Sequence, residues 1–211
     1  MNHWLETSKR NLIPLSQANS FSEALKEWLF TGCVFDYDGE EIECELCEHP
    51  DLAHHFEIQN KINTNRLLVG SSCILKFSEI NILDSSGKEI TNPEERKSHL
   101  EDALQKKLAE IMIEPLRKLW LKDKGNRTEI ESKAIVLKRG EGISPNQLLS
   151  LFLRMDELQI QYTASRYKIS LRTYQEQGEL TFMSKANLQK LKPALSGPQL
   201  KKHSLIFTHE I

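Results

Sequence analysis

ECELCEHP, residues 43–50, is the stretch that decides the fold of the first part of this chain. Its Cys44 and Cys47 form a C-x-x-C pair, and a third thiol, Cys73, follows the run VGSS at residues 69–72. A protein-bound Zn²⁺ takes four nitrogen or sulfur ligands in a tetrahedron, and a C-x-x-C turn presents two thiolates to one ion. The spacing therefore predicts a zinc site that includes Cys44, Cys47 and Cys73.

The fourth ligand of this site stays open at the level of sequence. His55 is the first choice, because alternation places it on the polar side of its strand. His49 follows Cys47 closely and could curl back over the metal, whereas His54 and Cys33 are less favoured. A closed shell of four ligands has no place for water, so the pattern predicts a structural zinc that supplies folding energy. The alternative is that these residues are free thiols and surface histidines.

The residues around the C-x-x-C pair predict a β-hairpin that returns Cys73 to the metal. Residues 53–60 alternate as a strand, 63–65 form a turn and 66–69 a return strand, and a helical turn begins at Cys73. Upstream, residues 20–30 predict a short helix that begins with a Ser20–Glu23 capping box and ends at Thr31-Gly32. A strand over 33–37 and an Asp38-Gly39 turn follow.

The rest of the chain is mainly helical in pattern. The longest helix is predicted over 93–123, with a kink or break at Pro115, because proline lacks the amide hydrogen. A second helix starts at the N-cap Ser144, a short strand is possible within 162–171, and another helix covers 184–191. We therefore expect an α+β protein: a small zinc-ribbon-like β-hairpin module over residues 1–90, and a long helix with a mainly helical C-terminal region over 91–211.

Charge is distributed unevenly along the 211 residues, although the net charge is only −2. Residues 33–60 hold nine acids and no Lys or Arg, whereas residues 160–211 hold eight bases and three acids. Such asymmetry bears on partners rather than on fold. It favours a protein that contacts DNA or RNA through its C-terminal surface, or else an adaptor whose acidic zinc face docks a protein partner.

Candidate nucleic-acid ligands lie where basic and aromatic residues alternate. Arg166, Lys168 and Arg172 are interleaved with tyrosines at positions 162, 167 and 174. Aromatic rings can stack on bases while cations neutralise phosphates. The competing interpretation is that Tyr167, Ile169 and Leu171 pack inward and the cations are merely solvated.

No catalytic constellation is recognisable, so we expect a non-enzymatic protein with no small-molecule substrate. The chain has neither a G-x-x-x-x-G-K phosphate loop nor a G-x-S-x-G elbow, and no βαβ pattern surrounds the C-x-x-C pair. A catalytic zinc would need an open coordination position and an acid such as Glu57. The sequence shows no long apolar run and no signal-peptide pattern, which predicts a cytoplasmic protein that does not enter membranes.

Three short patterns together resemble a known group of proteins: C-x-L-C at 44–47, H-F-x-I-x-N at 55–60 and V-G-S-x-C-I at 69–74. They are similar to a zinc-ribbon-like segment of poorly characterised bacterial and phage or mobile-element proteins. The resemblance covers about residues 24–78, and it implies metal binding without a settled enzyme activity. This chain departs from the pattern at Glu48, where a glycine is usual, and the knuckle turn is sterically tighter for it.

Overall fold

The computed structural model describes residues 3–37 and 42–208, so the turn predicted at Asp38-Gly39 lies outside the described residues. The chain is α+β, with a three-stranded antiparallel sheet followed by helices. The first part contains α1 (His3–Leu12), a 3-10 turn (Ile13–Leu15), α2 (Phe21–Lys26), β1 (Trp28–Asp36), β2 (His54–Asn60), β3 (Arg66–Val69), α3 (Ser71–Lys76) and α4 (Pro93–Lys122). The second contains α5 (Arg127–Lys138), α6 (Pro145–Glu157), α7 (Tyr174–Thr181), α8 (Lys185–Leu191), α9 (Gly197–Lys202) and α10 (Ser204–Thr208), with 3-10 turns at Lys124–Asn126, Ala164–Arg166 and Lys192–Ala194.

Two compact units make up the chain. The first ends at Lys107 and the second begins at Leu108, so both draw on α4. The division expected from sequence, between residues 90 and 91, lies just before that helix. None of the helices in the described ranges is long and apolar enough to cross a membrane.

The sheet of the first unit has the order β1-β2-β3. β2 and β3 form the predicted hairpin, with Phe56 opposite Val69 and Ile58 opposite Leu67. α3 follows β3 directly and carries Cys73 in its first turn. The sequence thus correctly predicted the β-hairpin that returns Cys73 toward the C-x-x-C pair.

The helix predicted over residues 20–30 is too long. Ser20 does cap α2 by accepting a hydrogen bond from the Glu23 amide, but the helix ends at Lys26 and Trp28 begins β1. Trp28 is fully buried in a strand paired with β2, and burial of a large apolar side chain outweighs a weak helical preference. Gly32 is not a helix stop: it has φ +83° in the irregular stretch of β1 between Phe30 and Val34.

Buried polar groups hold the loops of the first unit in place. The Glu27 carboxylate accepts hydrogen bonds from the Gln17 and Ala18 amides and from the Asn60 side chain. The Arg96 guanidinium, 3% exposed, donates to the carbonyl oxygens of Ile74 and Ile80. Because Ile74 belongs to α3, Arg96 anchors the helix that carries Cys73.

The second unit packs helices around an apolar centre. The Ser144 N-cap predicted for α6 is confirmed, as a full capping box with Gln147. The possible strand within 162–171 is wrong: a 3-10 turn and a single bridge between Ile143 and Ile169 replace it. α4 is not broken at Pro115 but runs on to Lys122.

Candidate metal centre

Three cysteine sulfurs converge in the first unit. Cys73 Sγ lies 3.7 Å from Cys44 Sγ and 3.3 Å from Cys47 Sγ, and all three sulfurs lie within 4.8 Å of one another. Three thiolates on a tetrahedral zinc, each about 2.3 Å from the ion, would be about 3.8 Å apart. The spacing of the sulfurs therefore fits one shared metal ion. The chemistry of the donors also fits, since soft thiolates favour zinc.

The C-x-x-C pair sits on a tight turn that its own backbone closes. The Cys44 amide donates to the His49 carbonyl at 2.9 Å, and the Glu48 amide donates to the Cys44 carbonyl at 2.7 Å. On the other side, Gly70 precedes α3 and its amide donates to Cys44 Sγ at 3.4 Å. A Cβ at Gly70 would approach Leu52 Cδ1 to 3.2 Å, so glycine suits this close contact.

Backbone amides stabilise negative charge on the sulfurs. Besides Gly70, the amides of Leu46 and Cys47 are directed at Cys44 Sγ, and the amide of His49 is directed at Cys47 Sγ. Such N–H groups favour the thiolate, which is the form that binds a metal. Three of these amide donors, those of Leu46, Cys47 and His49, come from the turn itself, and the fourth comes from Gly70 at the start of α3.

The three thiols divide their protons unequally. The hydrogen bond between Cys44 and Cys73 lowers the pKa of Cys44 to about 5, helped by the backbone amides. That same hydrogen bond to Cys44, together with burial, raises the pKa of Cys73, and burial raises the pKa of Cys47. The contacts within the metal-free cluster therefore favour the thiolate at Cys44 and the thiol at Cys47 and Cys73.

Glu48 adopts a conformation that usually requires glycine. Its φ is +57°, in the left-handed region. The carboxylate Oε1 accepts hydrogen bonds from Arg10 at 2.6 Å and from Asn11 at 3.0 Å, and Asn11 also donates to the Leu46 carbonyl. Two residues of α1 therefore hold the knuckle at its strained position.

Helix α1 was missed by the sequence reasoning. The sequence signal for it is weak: only Trp4, Leu5 and Leu12 are apolar in His3–Leu12, and the buried Ser8 is polar. The resemblance led us to expect glycine at Glu48, which indicated an unusual turn but not the helix that supports it.

His55, the first choice for the fourth ligand, lies outside the thiol cluster. Its ring is fully buried, its Nε2 is 3.2 Å from the Glu43 carbonyl oxygen, and Tyr37 packs against it edge to face. Cys33 is exposed in β1 and is also outside the cluster. The geometry therefore brings together Cys44, Cys47 and Cys73 of the predicted ligands, and places the His55 ring beside the Glu43 carbonyl instead.

A cavity of about 740 Å³ opens onto the three thiols. Three histidines line it, namely His3, His49 and His54. Glu57, the acid that a catalytic zinc would need, does not line it: its carboxylate is held by the Thr31 hydroxyl at 3.0 Å and by Arg66 at 3.3 Å. The Glu57 carboxylate is therefore bound by residues of β1 and β3.

The predicted nucleic-acid ligands are only partly grouped. Lys168 and Arg172 are exposed and line one shallow depression, where Lys168 Nζ donates to the Gly140 carbonyl at 3.2 Å. Arg166 is half-buried, has interactions of its own and is not part of that lining.

The three tyrosines interleaved with these cations do not form one exposed surface for stacking on bases. Tyr167 is 2% exposed, and its hydroxyl donates to the Met112 carbonyl at 3.0 Å. Tyr162 stacks on Phe152 with the ring centroids 4.5 Å apart. The inward packing of Tyr167, Ile169 and Leu171, the competing interpretation, is what the structure has. Of the three tyrosines only Tyr174 is an exposed ring, at 94%.

Comparison with known proteins adds no relative: no family profile, no curated protein and no solved structure matches this chain.

Proposed function

We propose that this is a non-enzymatic zinc-binding protein in which Cys44, Cys47 and Cys73 hold a structural Zn²⁺ and the second unit contacts nucleic acid through a basic surface. The observation that carries the zinc proposal is the convergence of three sulfurs: Cys73 Sγ lies 3.7 Å from Cys44 Sγ and 3.3 Å from Cys47 Sγ. Backbone amides are directed at the sulfurs of Cys44 and Cys47. The zinc links Cys73 to the distant C-x-x-C pair, and its binding free energy stabilises the folded state of a unit with a small sheet.

The zinc proposal is tested by elemental analysis of protein purified without chelators. We expect about one zinc per chain. Cys73→Ser should lose the metal, while Cys33→Ser, a matched change at the exposed cysteine outside the cluster, should keep it. Native protein without stoichiometric zinc would contradict the proposal.

Charge and exposed rings in the second unit support the nucleic-acid proposal. Residues 180–208 contain five lysines and no acidic residue. Tyr174 is 94% and Phe182 91% exposed, so both ends of α7 present an aromatic ring beside this basic stretch. Exposed rings and lysines together suit single-stranded nucleic acid, in which bases can stack and phosphates are accessible.

A titration at several salt concentrations tests this second part. Reversal of Arg166, Lys168 and Arg172 to Glu should weaken binding to all sequences alike and reduce the salt dependence, because phosphate contacts release counterions and do not specify sequence. The control is the same reversal at three lysines of the first unit, Lys88, Lys97 and Lys106, which are also exposed.

The adaptor hypothesis takes the lead if nucleic acid does not bind at low salt, or if the reversal at Arg166, Lys168 and Arg172 has no effect. Among the described acids of the knuckle, two have their carboxylates engaged within the chain. Glu43 is exposed, but the Glu45 carboxylate accepts a hydrogen bond from the Leu68 amide, and Glu48 is paired with Arg10. A protein partner would therefore meet Glu43 and Asp51 before the other acids of the knuckle.

A further inference from the structure

We propose that the fourth zinc ligand is His54, oriented by the carboxylate of Asp36. This inference rests on the proposed zinc site and deepens it, because it assigns the remaining coordination position. It is carried by the faces of strand β2, by the lining of the thiol cavity and by the pairing of β1 with β2.

The pleat of β2 separates the two neighbouring histidines. Successive side chains of a strand point to opposite faces, so His54 shares a face with Phe56 and His55 does not. His54 and Phe56 both line the cavity that holds the three thiols, and His55 does not line it. His55 Nε2 is instead beside the Glu43 carbonyl oxygen. Strand geometry thus directs His54 to the metal side.

Asp36 lies directly across the strand pair from His54. The two residues are register partners in β1 and β2, and Asp36 Oδ1 is 3.8 Å from His54 Nδ1. The Asp36 side chain is 3% exposed. A metal-bound histidine commonly directs its second ring nitrogen to a carboxylate, which fixes the tautomer and makes the first nitrogen a better ligand. A proton on Nδ1 facing Asp36 leaves the lone pair of Nε2 for zinc.

The environment of His54 Nδ1 is consistent with that role. The atom is buried, and within residues 3–37 and 42–208 it has no hydrogen-bond partner. His55 Nδ1 shares this property, so the assignment depends on the cavity lining and on Asp36. The ring nitrogens of His54 are outside the group of donors within 4.8 Å of one another, so zinc binding requires the imidazole to turn toward the sulfurs. The cavity of about 740 Å³ provides room for that rotation.

His49 is the strongest competitor. It lines the same cavity and follows the knuckle, but it is exposed, and its amide and carbonyl already serve the turn. Among the described contacts, no carboxylate is paired with its ring as Asp36 is with His54. His54 therefore differs from His49 in having a buried carboxylate next to its ring.

Cobalt substitution of the full-length protein tests the assignment, with Co²⁺ as the probe and its visible and near-ultraviolet absorption as the readout. The wild type should show a tetrahedral spectrum with three thiolates. In His54→Cys the sulfur-to-cobalt charge-transfer intensity should rise by about one third, since four thiolates replace three. His49→Ala and His55→Ala are the matched controls and should keep the wild-type spectrum.

Zinc affinity, measured by competition with a chelating dye, gives a second readout. His54→Ala should weaken zinc binding at least as much as Asp36→Asn, and Asp36→Asn should weaken it by about 10–100-fold. The inference is overturned if His54→Cys leaves the cobalt spectrum unchanged, or if His49→Ala or His55→Ala alters it. A wild type that takes up no stoichiometric cobalt or zinc would overturn the proposed zinc site itself, and that result is distinct from the other two.

Discussion

The two units of this chain differ in the kinds of residue that they bury. In the first unit the buried set around the sheet includes Cys44, Cys73 and His55, with Arg96 and Glu27 also buried. In the second unit the buried cluster is aliphatic and aromatic, built around Phe152, Leu148 and Tyr167. With the proposed zinc in place, the stability of the first unit should depend on metal and protons. The second unit should depend mainly on apolar packing, with its buried charges Asp123 and Lys133 each ion-paired.

The largest expected effect is selective unfolding of the first unit when the metal is removed. A structural zinc contributes on the order of 10 kcal/mol of apparent folding free energy at pH 7, more than a small unit has in reserve. A strong chelator, or Cys73→Ser, should therefore abolish amide-exchange protection in β1, β2 and β3 and leave α6 protected. Equal loss of protection in both units would break the comparison.

The reverse selectivity is expected for Phe152→Ala. Phe152 is fully buried in the second unit, so its truncation should cost about 3–5 kcal/mol in the free energy of unfolding. The zinc content should stay unchanged. Leu153→Ala, at the neighbouring position with a 45% exposed side chain, is the control and should cost far less. Denaturant unfolding with zinc analysis checks both values.

Proton release sharpens the link between the first unit and pH. The pKa of Cys44 is lowered to about 5, whereas the pKa values of Cys47 and Cys73 are raised, so we expect one thiolate and two thiols in the metal-free cluster at pH 7. Binding of zinc should therefore release about two protons per ion, and zinc affinity should fall as pH decreases because protons compete for the sulfurs. Calorimetry in buffers of different ionisation enthalpy measures the number. Release of no protons would mean that the metal-free cluster is already ionised.

The smallest expected effect concerns the strained knuckle. Glu48→Gly removes the steric strain of the positive φ but loses the contacts with Arg10 and Asn11. Glu48→Ala loses the same contacts and keeps the strain. The melting temperature of the zinc-bound protein should therefore fall by a few degrees for Glu48→Ala and by less for Glu48→Gly. The reverse order would show that the turn does not store backbone strain.

Local patterns in the sequence were sufficient to predict the parts of the fold that short-range rules control. The hairpin of β2 and β3 and the Ser144 cap of α6 each depend on residues close together in the chain. The helix predicted through Phe30 failed because pairing with β2, some 30 residues away, decides the state of Trp28 and Phe30.

The candidate site was predictable to a similar extent. Cys44, Cys47 and Cys73 followed from spacing, since a knuckle and a hairpin bring them together. The spacing does not tell which face of β2 lies toward the cavity. Adjacent histidines point to opposite faces, so the alternation alone cannot say which of the two is on the cavity side. Only the three-dimensional pairing of Asp36 with His54, and of His55 with Glu43, distinguishes the two.

The short distances within the thiol cluster also bear on the chemistry of the chain in air. Once the metal is lost, the Cys44 thiolate lies beside two thiols, with Cys47 and Cys73 only 3.3 Å apart. A thiolate attacks a peroxide and is oxidised to a sulfenic acid, which a neighbouring thiol then converts to a disulfide with release of water. The bound ion would thus act as a protecting group, and metal-free protein handled without a reductant would oxidise and fail to take up zinc again until reduced.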